Sequence, residues 1–102
     1  MFHYTDRAGY NAIVSQPVWR FKASQPPARH PFGAYFTTLP PDTPHLARRL
    51  GIPRRKLSHC FEFTDVGDLL PLPGDRGDVI YYSPGDYEVT PDRQLRHGET
   101  GL

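Results

Sequence analysis

The stretch Phe32-Gly33-Ala34-Tyr35-Phe36-Thr37-Thr38-Leu39-Pro40-Pro41-Asp42 decides how the rest of the chain is read. Gly33 has no Cβ, so the backbone there can turn tightly or let a ligand come close. Ala34 to Leu39 is rich in β-prone residues and reads as a short strand. Alternation puts Tyr35 and Thr37 on one face and Phe36 and Thr38 on the other. Pro40 and Pro41 stop the ladder because neither carries a backbone N–H. A tyrosine is thus held on a rigid strand beside a small-residue gap. That arrangement suits stacking against a flat ring, but on these residues alone an ordinary half-buried strand tyrosine is the first reading and the ring shelf the second.

Upstream, Phe2-His3-Tyr4-Thr5 reads as a strand. Asp6 is the expected cap of a helix over Arg7 to about Ser15, with Thr5 as second candidate. Tyr10, Ile13 and Val14 recur at helical spacing, and Pro17 closes the segment. Val18 to Phe21 is a β-type run. Ala23 to Pro31 is a proline-rich loop, read either as a flap over a site or as a plain connection. Downstream, Asp42-Thr43-Pro44 opens a helix running to Leu50, with Gly51 as its stop. Lys56 to Thr64 reads as a strand, Asp65 to Leu70 as a turn or a helical turn, Pro71 to Gly77 as a tight turn region, and Val79 to Tyr82 as a buried strand. Tyr87 to Val89 is a short last strand, and Gln94 to His97 pairs weakly with a frayed end. Helices early and short, with strands carrying the apolar residues, predict an α+β fold built on antiparallel strands.

Length and composition set the bounds. A chain of 102 residues is expected to be one domain, 1–102, with a modest core. Twelve prolines and nine glycines imply many turns. Aromatics at 13% and a net charge of only +1 argue against disorder. A pI near 8 is not that of a dedicated nucleic-acid binder. Arg48-Arg49 and Arg54-Arg55-Lys56 read first as a solvated face and second as a patch for a phosphate-bearing ligand. The lone Cys60 forbids an internal disulfide and reads as a buried small side chain. His59 beside it faces the other way on a strand, which disfavours joint thiol or metal chemistry. No signal-peptide pattern and no spanning segment is legible, so the cytoplasm is expected, or a target cell's cytoplasm reached by a specialised secretion route.

Three residue types spread over first, middle and late strands carry the functional reading: His3, Tyr35 and an acid near Val79–Tyr82. Each alone has an ordinary explanation, a bonded strand histidine, a core tyrosine and a turn aspartate. Taken with their flanking segments, they resemble the small ADP-ribosyltransferases that carry a His-Tyr-Asp signature. These belong to the diphtheria-toxin-like and poly(ADP-ribose) polymerase-like class and occur among bacterial polymorphic toxins and effectors. The pieces that carry the likeness are His3-Tyr4-Thr5 with its helix, Gly33-Ala34-Tyr35-Phe36-Thr37 with Leu39-Pro40-Pro41-Asp42, Phe61 to Val66, and Val79 to Asp86.

The resemblance implies a split antiparallel sheet with two or three short helices, and an NAD-dependent mono-ADP-ribosyltransferase that releases nicotinamide. It implies that His3 bonds a ribose hydroxyl, that the backbone of Tyr4 faces the carboxamide, and that Tyr35 stacks on the nicotinamide. Tyr4 stands where many members of the class have glycine, which is harmless if its side chain points away. Thr5, Gly33 and Thr37 complete the expected dinucleotide contacts. For the acid, Asp78 at a strand start ranks ahead of Asp86 in the Pro-Gly-Asp turn, and Glu88 comes third. NAD is the donor substrate, and no metal is expected. The acceptor is expected to be a macromolecule, a protein ahead of a nucleic acid, and an immunity protein is an expected partner. Two other readings stay open: an NAD glycohydrolase using the same cleft, and a non-catalytic β-rich interaction module.

Overall fold

The computed structural model describes residues 1–26 and 29–102. The proline-rich loop therefore falls partly outside the described residues, at 27 and 28. Among the described residues eight strands form, β1 (Phe2–Thr5), β2 (Trp19–Phe21), β3 (Ala34–Thr37), β4 (His59–Phe63), β5 (Leu70–Pro71), β6 (Ile80–Ser83), β7 (Tyr87–Val89) and β8 (Gln94–Glu99). Two α-helices join them, α1 (Arg7–Val14) and α2 (Leu46–Leu50), with 3-10 turns at Arg54–Leu57 and Pro91–Arg93. Six strands make one sheet in the order β5-β6-β3-β1-β4-β8, and β2 pairs with β7 in a second. Every pairing is antiparallel, so the α+β expectation holds.

Strand alternation sorts the side chains into two cores. Phe36, Phe61 and Phe63 of the large sheet face Trp19 and Phe21 of β2 and Tyr87 and Val89 of β7. The rings of this core meet largely edge to face, as Trp19 on Phe61 and Phe36 on Phe63. Tyr10, Ile13 and Val14 of α1 pack against the same cluster. On the opposite face Tyr4, Leu46, Leu57 and Cys60 form a smaller core under α2. His59 and Cys60 do diverge: the His59 ring packs at a tilt against Tyr10 while the thiol joins the smaller core. Burial pushes that thiol up to about 12, so it is inert near neutrality.

Local chemistry explains most boundaries. Asp6 caps α1 by accepting from the Gly9 N–H at 2.9 Å. That bond, then Lys56 at 3.1 Å, holds the Asp6 carboxyl below its usual range. The second helix begins later than expected, at Leu46, because Thr43 Oγ1 turns back to Pro40 O and His45 at φ 58° enters without a side-chain cap. Lys56 and Leu57, expected to begin a strand, instead close a 3-10 turn over Arg54–Leu57, since Pro53 admits a helical turn after it. The strand after residue 79 is less buried than expected, as only Ile80 is buried in it. The terminal segment is a full six-residue strand, β8, paired along all of β4 across a register shift at Glu62/Phe63.

Gly33 serves the fold. A Cβ there would collide with the Ser83 carbonyl oxygen and sit 3.1 Å from Tyr82 Cδ2. The close neighbour of a side chain placed there is thus the backbone of β6. We expect Gly33→Ala to destabilise the protein by about 2 kcal/mol, the usual scale of overpacking, as measured by urea unfolding. An unchanged midpoint would show that β6 yields at no cost.

Candidate functional site

The large sheet is incomplete between β1 and β3. Along β4, β1 is registered at four consecutive residues, Phe2 to Thr5. Along β3 it is registered only at Phe2↔Thr37. The backbone directions follow from the ladder rule that antiparallel residues alternate in which neighbour they bond. Met1 and Phe63 exchange both backbone bonds. Residues 1, 3 and 5 therefore bond β4, while Phe2 and Tyr4 turn their N–H and C=O toward β3. Thr38 donates to Val79 O at 3.1 Å across the β3–β6 pair, so by the same alternation Tyr35 turns its backbone toward β1. Tyr4 and Tyr35 face each other and form no ladder pair.

His3 takes the place of the missing bond. Its Nδ1 lies 2.9 Å from Tyr35 O. A carbonyl only accepts, so Nδ1 carries the proton and the neutral ring leaves Nε2 as an acceptor. The imidazole packs against Phe21 at 4.6 Å and Phe36 at 5.5 Å between centroids. Desolvation by these neighbours lowers its pKa to about 4, against the opposing pull of the Tyr35 carbonyl. The ring is uncharged at neutral pH.

A cavity of about 340 Å³ opens at the split, within the roughly 300–1,000 Å³ of small-molecule sites. Of the residues expected at a dinucleotide site, His3, Tyr4, Tyr35 and Thr37 line it. Tyr35 stacks on Tyr82 at 5.7 Å and its hydroxyl donates to Pro31 O. Burial, then Tyr82, raises its pKa, so it stays a neutral phenol. The Tyr4 side chain does not point away: it forms part of the wall and anchors its hydroxyl on Leu39 O at 2.8 Å. Thr37 Oγ1 is already engaged, donating to Val79 O at 2.6 Å and accepting from Leu39 N at 3.1 Å.

The other expected residues lie elsewhere. Thr5 is buried on the α1 side of the sheet, and Gly33 is taken up by β6. Asp78 precedes Val79, whose carbonyl is tied to Thr38 N and Thr37 Oγ1. That is the closed end of the split, where Phe2 and Thr37 pair. Asp86 stands at the other end, where β1 and β3 have parted. Its Oδ1 accepts from Ala23 N at 2.8 Å, one residue before the Ser24↔Gly33 bridge that precedes β3. Glu88 is held by Arg20 at 3.0 Å on the outer face of the small sheet. Among the described residues the cavity lining contains no carboxylate. Sequence reasoning missed Phe2, His30, Ile52, Leu72 and Arg76, all of which line the cavity. The proline-rich loop contributes Pro26 and His30.

A protein-family profile described as "HYD1 signature containing ADP-ribosyltransferase" matches residues 1–90. That range contains every strand around the split and stops short of β8. Neither the curated proteins nor the solved structures give a match. No helix among the described residues is long and apolar enough to cross a membrane.

The lowered His3 pKa has a measurable consequence. Below about pH 6.5 the unfolded chain binds a proton at this histidine that the folded chain refuses, so stability is full above that pH and falls as pH drops toward 4. At about 1.4 kcal/mol per pH unit the loss approaches 3 kcal/mol, less what solvent recovers at the half-buried ring. NMR titration is expected to find His3 neutral at pH 5. A midpoint at 6 or above would exclude the desolvated setting.

Proposed function

The chain belongs to the ADP-ribosyltransferases that contain the HYD1 signature, and on that premise we propose that it is a toxin-type mono-ADP-ribosyltransferase. It takes ADP-ribose from NAD, its donor substrate, releases nicotinamide, and passes the ribosyl group to a macromolecular acceptor. One observation carries this reading: the β1–β3 split turns the backbone of Tyr4 and the N–H of Tyr35 toward an aromatic-walled cavity. A primary carboxamide offers one acceptor and two donors, the complement of a strand edge. Nicotinamide can therefore substitute for the missing ladder pair, with the Tyr35 ring beside it as a shelf.

His3 then has a defined task. Its Nδ1–H is fixed on Tyr35 O, so Nε2 accepts from a ribose hydroxyl and orients the sugar. A protonated ring could not accept there, which makes the low pKa useful. In the reaction the bond between the ribose anomeric carbon and the nicotinamide nitrogen breaks. Nicotinamide leaves as a neutral ring with the bonding electrons, and the ribose gains oxocarbenium character. An acceptor nucleophile then bonds that carbon and gives up its proton. A carboxylate near the carbon is favoured more in the transition state than in the ground state.

For that carboxylate the geometry favours Asp86 over Asp78, reversing the order expected from strand position. Asp86 borders the open end of the split, and the Ala23 N–H steadies one of its oxygens. Asp78 lies beyond the closed end, on the far side of the Phe2↔Thr37 pair. Glu88 is committed to Arg20. Transfer to a protein ahead of a nucleic acid, action in the cytoplasm of the producing or a target cell, and neutralisation by an immunity protein are parts of the same proposal. Hydrolysis with water as acceptor would use the same groups.

The test is incubation with NAD labelled in its adenylate half and a cell lysate, followed by location of the label. Label on macromolecules supports the transferase, whereas acceptor-independent loss of NAD supports the hydrolase. Tyr35→Ala is expected to lower nicotinamide release by on the order of tenfold or more. Asp86→Ala should lower it by about a hundredfold, the scale of a lost transition-state electrostatic contact, with Asp78→Ala near wild type. The reverse pattern between the two aspartates would remove Asp86 from its role.

A further inference from the structure

Among the described residues the cavity wall carries one permanent charge. Arg76 lies in the segment between β5 and β6 and lines the cavity beside Leu72 and Ile52. It makes no ion pair among the described residues. Its loop is tied down where the backbone meets the site, since Arg76 O accepts from Val79 N at 3.1 Å and Ile80 N at 2.8 Å. Gly51 makes room for the side chain. That glycine ends α2 at φ 70°, and a Cβ on it would come within 3.0 Å of Arg76 Nη1. Arg48, Arg49, Arg54 and Arg55 flank Gly51 on both sides, exposed and unpaired among the described residues.

The cavity is therefore polarised along β3. Tyr35 and His30 mark one end, and Arg76 with the arginine rim marks the other, next to Ile80, which pairs with Thr37. Tyr35 and Thr37 are two residues apart on one strand, about 7 Å. In NAD the nicotinamide is separated from the diphosphate by one ribose. A donor laid with its ring on Tyr35 carries its negative groups toward Arg76. A planar guanidinium suits paired phosphate oxygens, and among the described residues the wall offers it no carboxylate partner.

We propose that Arg76 is the residue that holds the diphosphate of the donor, in a gap kept open by Gly51. This rests on the function proposed above, which it extends by assigning the anionic half of the substrate. Arg76 acts on binding and orientation and takes no part in bond cleavage.

The experiment pairs steady-state nicotinamide release from NAD with calorimetric titration of ADP-ribose, for wild type, Arg76→Gln and Arg76→Lys. Arg76→Gln is expected to raise KM for NAD about tenfold or more, the scale of a lost charge-assisted contact, with kcat within about threefold. ADP-ribose affinity should fall by the same factor, and Arg76→Lys should recover part of it as a point charge. Wild-type affinity should weaken with added salt. Unchanged KM and ADP-ribose affinity in a folded Arg76→Gln would overturn the assignment while leaving the transferase reading intact. ADP-ribose binding that depends on Arg76 in a protein that never releases nicotinamide would do the reverse. Failure of the wild type to bind ADP-ribose would remove both.

Discussion

A single hydrogen bond, from the His3 imidazole to the Tyr35 carbonyl, governs the rest of the architecture. In an unbroken sheet that carbonyl would accept from a neighbouring strand, and β1 and β3 would close together. A ring inserted into the ladder satisfies the carbonyl at side-chain distance and keeps the strands apart. No buried side-chain polar atom among the described residues lacks a partner, so the opening is accommodated without an orphaned side-chain group. The two cores brace it from either side, Phe21 and Phe36 against the imidazole and Tyr4 against the residues under α2. Either core alone would leave one lip of the split unsupported.

The proposed chemistry asks little of the protein beyond that opening. Nicotinamide is a good leaving group once its ring is held and the sugar is oriented. Backbone edges, an aromatic shelf and a neutral imidazole supply position, and a nearby carboxylate supplies charge. In that proposal all four fit in a chain of 102 residues because the sheet itself serves as the binding element. The small sheet of β2 and β7 backs the core and delivers Asp86 to the open end through the Phe21↔Tyr87 pair and the turn beyond it.

Local signals were legible and non-local ones were not. The first strand, the Asp6 cap, the faces of Tyr35 and Phe36, and the glycine stop of α2 follow from short-range rules, and the structure keeps them. Gly33 reads correctly as a place of close approach, but no local rule says whether a ligand or Ser83 arrives there. The strength of β8 was hidden because its partner β4 lies some thirty residues earlier and its own residues are polar. The split itself was expected only through family resemblance. Which end of it is open depends on the β1–β3 register, and hence so does the choice between Asp78 and Asp86. Arg76 was invisible for the same reason, since its loop reads as an ordinary Pro-Gly-Asp turn until Gly51 is placed against it.

The borders of the large sheet bear on how the molecule behaves in company. One border is β5, only two residues long and ending in Pro71, which has no N–H to offer a visiting strand. The other is β8, where the register shift against β4 and the charged Arg96 and Glu99 make a poor template. Growth of the sheet by addition of another copy is discouraged at both sides. A further backbone edge of the large sheet is turned inward, at the gap between its first and third strands, on the scale of a single amide rather than of another chain.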